Sequence, residues 1–151
     1  RLVNTFGEVF EANPDDIEAD DLPTLKGPDG QSAQVLAMYR ALKPELQRLE
    51  ERNPDFSPIP AQLAVVLDKL NNPVQAREKM LRAIELAPDN ITYKYNLAIM
   101  LDRQGRYADA MALYKLLIQA SLRGETVPGT LEAMQKRLNY ISSASQSKVG
   151  G

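Results

Sequence analysis

The chain has 151 residues, 44% hydrophobic and 25% charged, with a formal net charge of −2 and neither Cys nor His. That length suits one domain able to bury its own core. The missing side chains exclude thiol nucleophiles, imidazole-based dyads and the usual zinc ligands, and no apolar run approaches the ~20 residues that span a bilayer.

Residues 1–30 carry eight acids against Arg1 and Lys26, a net of −6, while the remainder has a net of +4. This segment reads as an acidic arm or linker. Its stretch "NPDDIEADDLPTLKGPDG" cannot continue a helix through Pro23 and Pro28. Leu2, Phe6, Val9 and Phe10 allow at most a short amphipathic turn before it. The cluster "DDIEADD" lacks the alternating oxygen ligands, central Gly and closing Glu of a calcium loop, so it reads as a solvated acidic run. The chain begins with Arg rather than Met and so reads as a piece of a longer protein, with an upstream export signal or anchor left open.

From Ser32, a suitable cap, the pattern turns helical. Val35, Leu36, Tyr39, Leu42, Leu46 and Leu49 fall at three- and four-residue steps, which predicts a helix over 31–52. Pro44 inside it means either one kinked helix or a second helix starting there, and "LKPE" leaves no room for a turn. After the break "NPDFSPIP", the stretch "AQLAVVLDKL" predicts a helix, "NNP" a turn, and "VQAREKMLRAIELA" a second helix with Ala76, Met80, Ala83, Ile84 and Ala87 on its apolar stripe. "PDN" breaks the chain again. "ITYKYNLAIMLDRQ" is a helix closed by Gly105, and "YADAMALYKLLIQASL" is its antiparallel partner. Thr130 can cap a last helix over 129–143, with Leu131, Met134, Leu138 and Ile141 on one side. Residues 144–151 read as a disordered polar tail. Nothing reads as strand. The fold class is all-α, built of antiparallel helical hairpins within one helical domain over 31–143.

Small and apolar residues recur 34 positions apart: Leu63 and Leu97, Ala64 and Ala98, Leu67 and Leu101, Ala76 and Ala110, Ile84 and Ile118. With Met80, Tyr114 and Pro88 in the same frame, the chain resembles a tetratricopeptide repeat (TPR) protein over residues 57–90 and 91–124. The most family-like stretch is "GRYADA", where Tyr107 would pack the hairpin shut. Pro60 and Lys94 depart from the family's early aromatic, "NNP" from its Gly-x-Tyr turn, and Leu122 from its closing Pro. The resemblance implies stacked hairpins in a short right-handed superhelix, capped by helices over 31–52 and 129–143.

The resemblance also implies a concave wall made by the first helix of each unit. The first unit would present Pro58, Ala61, Gln62, Val65, Asp68 and Lys69. The second would present Thr92, Tyr95, Asn96, Ile99, Asp102 and Arg103. The candidate partner-binding residues are therefore Gln62, Val65, Lys69, Tyr95, Asn96, Ile99 and Arg103, an apolar floor with amides and a charged rim that suits an extended or helical peptide. The blander alternative is a solvated face on which Asp68, Lys69, Asp102 and Arg103 pair across units. The clamp that some TPR adaptors close on chaperone tails is not implied: Asn96 fits it, but Ala61, Val65, Thr126 and Thr130 stand where its other polar residues belong. The charge split suggests that the arm over 1–30 folds onto Lys69 and Arg103 and competes with partners.

Function thus reads as a non-catalytic adaptor or scaffold that binds a protein or peptide. The alternatives are a self-associating assembly module, which would make a homo-oligomer, and a regulatory domain of a larger protein. Bases interleaved with acids at helical spacing argue against nucleic acid. No metal box, phosphate loop or nucleophile beside a base is present, so no cofactor, metal site or catalysis is expected. The compartment is unassigned, with bacterial cytoplasm and periplasm both open.

Overall fold

The structure, a computed structural model, describes the backbone of residues 33–150 and the side chains of residues 33–144. The acidic arm expected over 1–30 and the Ser32 cap lie outside the described residues. Every regular element described is an α-helix: α1 (Ala33–Arg52), α2 (Pro58–Lys69), α3 (Pro73–Leu86), α4 (Ile91–Arg103), α5 (Tyr107–Leu122) and α6 (Leu131–Gly150). The expectation of an all-α fold holds among the described residues. Where the sequence suggests one helical domain over 31–143, the chain divides into two compact units, with the boundary inside α3 between Lys79 and Met80.

In the first unit α1 packs on α2. α1 runs unbroken through Pro44, which is exposed. An interior proline costs about 3 kcal/mol through its lost backbone bond and ring clash. Tyr39 and Leu46, seven residues apart on one face and on either side of Pro44, are both buried. Their burial, about 2 kcal/mol each, offsets that cost. α2 opens with Pro58 and Pro60 in its first turn, where the missing N–H groups have no helical partner to lose. Ile59, Leu63, Ala64, Val66 and Leu67 complete its buried face. Lys79 on α3 reaches back to Glu50 on α1, Nζ to Oε1 at 2.6 Å.

In the second unit α4 packs on α5, and α5 on α6. Leu97, Ala98, Met100 and Leu101 of α4 are buried, as are Ala110, Tyr114, Leu117 and Ala120 of α5. Met134 and Ile141 bring α6 onto this core. Fully buried alanines let helix axes approach closely, because a longer side chain at the crossing would hold them apart.

Three helices end alike. Asn72 N–H donates to Leu67 O at 2.8 Å, Arg106 N–H to Leu101 O at 2.9 Å, and Glu125 N–H to Ala120 O at 3.0 Å. The residue before each donor is left-handed: Asn71 at φ 63°, Gly105 at φ 76° and Gly124 at φ 92°. This closing motif satisfies carbonyls that the helix end leaves open. Gly105 therefore performs the stop read from the sequence, and "NNP" achieves the same stop with Asn. At the far end α6 runs to Gly150, through most of the polar tail expected to be disordered. No Pro interrupts residues 131–150, and Ser, Ala and Gln cost a helix little.

Candidate interaction surface

α4 is fixed at both ends. Asn90 caps it, its side chain accepting from Tyr93 N–H at 3.1 Å, and Gly105 closes it. Helical period then sorts its residues. Leu97, Ala98 and Leu101 face the core, and the opposite side carries Thr92, Asn96, Ile99 and Arg103, with Tyr95 at its edge. Arg103 is exposed, while Tyr95, Asn96 and Ile99 are half-buried. The second-unit candidates thus share one outward face. On α2 of the first unit, Gln62, Val65 and Lys69 form a similar half-buried row at spacings of three and four. Each row is assembled within its own unit.

Two residues implied to line a concave wall are buried instead. Ala61 belongs to the core of the first unit. Among the described residues Asp102 is the buried charged side chain, 7% exposed. Asp102 stands one turn after Ala98, on the apolar stripe of α4. A carboxylate there needs partners, because burying it unpaired would cost several kcal/mol. Arg137 of α6 supplies two bonds, Nε to Asp102 Oδ2 at 2.7 Å and Nη2 to Oδ1 at 2.6 Å. The Tyr114 hydroxyl of α5 donates a third, to Oδ2 at 2.8 Å. One carboxylate thus ties three helices. The pairing of Asp102 across units, entertained from sequence, is replaced by this link to α6.

The electrostatics follow from the geometry. The Arg137 hydrogen bonds hold Asp102 below the usual carboxylate range against the opposing effect of burial. Burial first, and then donation to Asp102, raise the Tyr114 phenol above its ordinary value, so it stays a donor. The same Asp102 bonds raise the Arg137 guanidinium.

Arg137 also faces outward. Its guanidinium lies 5.1 Å from the centroid of the Tyr140 ring, in cation–π range. Tyr140 is 64% exposed, so a large aromatic is held at the surface by a cation that Asp102 already fixes. Nearby in the same unit, Tyr95 lies against Gly129 in the loop before α6: a β-carbon at Gly129 would stand 2.6 Å from Tyr95 Cε1. Thr130 Oγ1 accepts from Ala133 N–H at 3.1 Å and starts α6 as expected. Tyr107, expected to pack its hairpin shut, is half-buried.

The sequence reading missed Arg137, Tyr114 and Tyr140. One signal was available: an Asp on an apolar helical stripe calls for a buried partner. Nothing local says that the partner stands 35 residues away. No group of His, Cys, Asp or Glu among the described residues could hold a metal ion. No described helix is long and apolar enough to cross a membrane.

The class this defines is a protein all-α over its described residues, whose second unit ties a buried carboxylate to a partly exposed arginine and carries a surface aromatic. Residues 1–146 match the family described as "Cell division protein FtsQ/DivIB, C-terminal", and the chain belongs to that family. It is also 32% identical over 144 residues to the cell division protein FtsQ of Thiomonas arsenitoxydans, covering 90% of this chain and 50% of that protein. The chain thus spans about half the length of the curated relative it matches.

This family replaces the tetratricopeptide assignment. Most of the residues behind that resemblance are buried: Leu63, Ala64, Leu67, Ala76 and Met80, then Leu97, Ala98, Leu101, Ala110 and Tyr114, while Ile84 is half-buried and Pro88 exposed. Leu and Ala at such intervals are what closely packed helices select at their crossings, whatever the family. The 34-residue interval therefore registers helix packing rather than membership.

Proposed function

We propose that the chain is a non-catalytic protein-interaction module serving cell division, an adaptor or scaffold that holds a partner peptide or helix. The family description and the relative's name support the process. The observation that carries the interaction reading is the Asp102–Arg137–Tyr140 chain of contacts. Interfaces concentrate their binding energy in Tyr and Arg side chains whose conformations are set before the partner arrives. Tyr140 is such an anchor. Tyr95, Asn96, Ile99 and Arg103 supply an apolar strip, an amide and a cation in the same unit, and Gln62, Val65 and Lys69 supply a second row on the first unit.

Site-specific photo-crosslinking in dividing cells tests this. A crosslinker replacing Tyr140 should capture a division protein, and Arg103→Glu should reduce the yield while the helical circular dichroism stays unchanged. Capture of a second copy of this chain alone would replace the adaptor reading with self-assembly. Absence of any crosslink at Tyr140, with capture at a control position, would remove this face from the function.

A further inference from the structure

The flank of α6 turned away from Tyr140 carries a second feature. An open cleft of about 390 Å³ lies between α5 and α6, lined by Lys115, Ile118 and Gln119 on one side and Gln135, Leu138 and Asn139 on the other. Both rows have the spacing i, i+3, i+4, so each is one helix face. Ile118 and Leu138 form an apolar floor, and four polar side chains form the rim. Leu122, at i+7 from Lys115, continues the α5 row and is 69% exposed, the most exposed of the large hydrophobics described.

An apolar floor between two helices, bounded by rows that each advance about one turn, is the seat into which a third helix packs its ridges. The backbone of an extended strand would find no backbone partner there, since both walls are helices that use their own. Charge narrows the occupant further. Lys115 is exposed with no acidic partner among the described residues, and no carboxylate lines the cleft. The neighbouring cation Lys136 is already engaged by Glu132 at 3.3 Å.

We propose that the α5–α6 cleft is a docking site for an amphipathic helix of a partner protein, with an apolar stripe on Ile118, Leu122 and Leu138 and an acidic flank against Lys115. The proposal goes beyond the Tyr140 surface and stands without it, because the two lie on opposite flanks of α6.

The test uses the whole chain and three synthetic peptides: a helix with a leucine stripe and Glu flanks, the same helix with Lys flanks, and the Glu version broken by central prolines. The expected result is that the Glu helix shifts the side-chain amide signals of Gln119, Gln135 and Asn139. The Lys helix should bind about tenfold more weakly, and Lys115→Glu should reverse that preference. Leu122→Asp, at an exposed position, should weaken the Glu helix by about tenfold with the circular dichroism unchanged. Tyr140→Ala should leave it unaffected, which separates this site from the surface above. Three results would each overturn the proposal: no shift at those amides, equal binding of the proline-broken peptide, or indifference to Lys115→Glu.

Discussion

The two units bury different chemistry. In the first, α1 and α2 close on Val35, Tyr39, Leu46, Leu63 and Leu67, and the Lys79–Glu50 ion pair stays half in solvent. In the second, a similar set of leucines and alanines surrounds a carboxylate held by Arg137 and Tyr114. An apolar core tolerates small shifts at little cost, whereas a buried carboxylate fixes its partners in position. The unit that carries Asp102 is also the one that displays Tyr140 and the α5–α6 cleft.

That contrast can be broken from either side. Leu46→Ala in the first unit should cost about 3–4 kcal/mol, because Leu46 is 1% exposed and its loss leaves a cavity in the core. A chemical denaturation midpoint that barely moves would mean that α1 is loosely attached. Asp102→Ala in the second should cost about 2 kcal/mol, since it leaves the buried Tyr114 hydroxyl without its acceptor while the exposed Arg137 turns to solvent. Replacing Asp102 by Leu and Tyr114 by Phe together should recover part of that loss, because no buried polar group is then left without its partner. Arg137→Leu should by itself lose binding at Tyr140, whose ring then has no cation beside it.

Acid sharpens the comparison. The Asp102 carboxyl is lowered in the folded chain, so its stabilisation is complete above the ordinary carboxylate value near 3.8 and is lost as pH falls through the lower folded value. Asp102→Asn cannot titrate. The stability gap between the wild type and this variant should be constant near neutrality and shrink below about pH 4. A gap that stays level across that range would show that the charge on Asp102 does not stabilise the fold.

Smaller effects belong to the helix ends and the surface. Gly105→Ala should cost about 1 kcal/mol, because φ 76° strains any residue with a β-carbon. Asn71→Gly should gain a few tenths of a kcal/mol at the equivalent stop in the first unit. Glu50→Gln should lower the unfolding free energy by less than about 1 kcal/mol, read by chemical denaturation, since solvent screens part of its bond to Lys79.

Much of the fold was legible locally. Helix existence followed from three- and four-residue apolar steps, and Gly105 and Thr130 were recognisable as a stop and a start. Pro44 was placed inside one helix because "LKPE" leaves no room for a turn, and α1 runs through it. The site was less legible. Asn96, Ile99 and Arg103 were grouped through the tetratricopeptide resemblance; that they share one outward face of α4 follows from helical period, which converts spacing directly into direction. Ala61 and Asp102 were misplaced, because whether a helix face meets solvent or a neighbour depends on which helix packs beside it. The family was misread for a related reason: alanines at helix crossings obey packing geometry before ancestry.

By itself the sequence determined the six described helices, the stops of all but the last and the apolar stripe of each, because these depend on backbone preferences and on neighbours within a few residues. Only the tertiary structure decided that Asp102 would be buried, that Arg137 would meet it from 35 residues away, and that Tyr140 would stand fixed at the surface. Those contacts depend on how α4, α5 and α6 are brought together. The energy of a buried charge is set by the atoms that surround it in space, and no spacing along the chain names them.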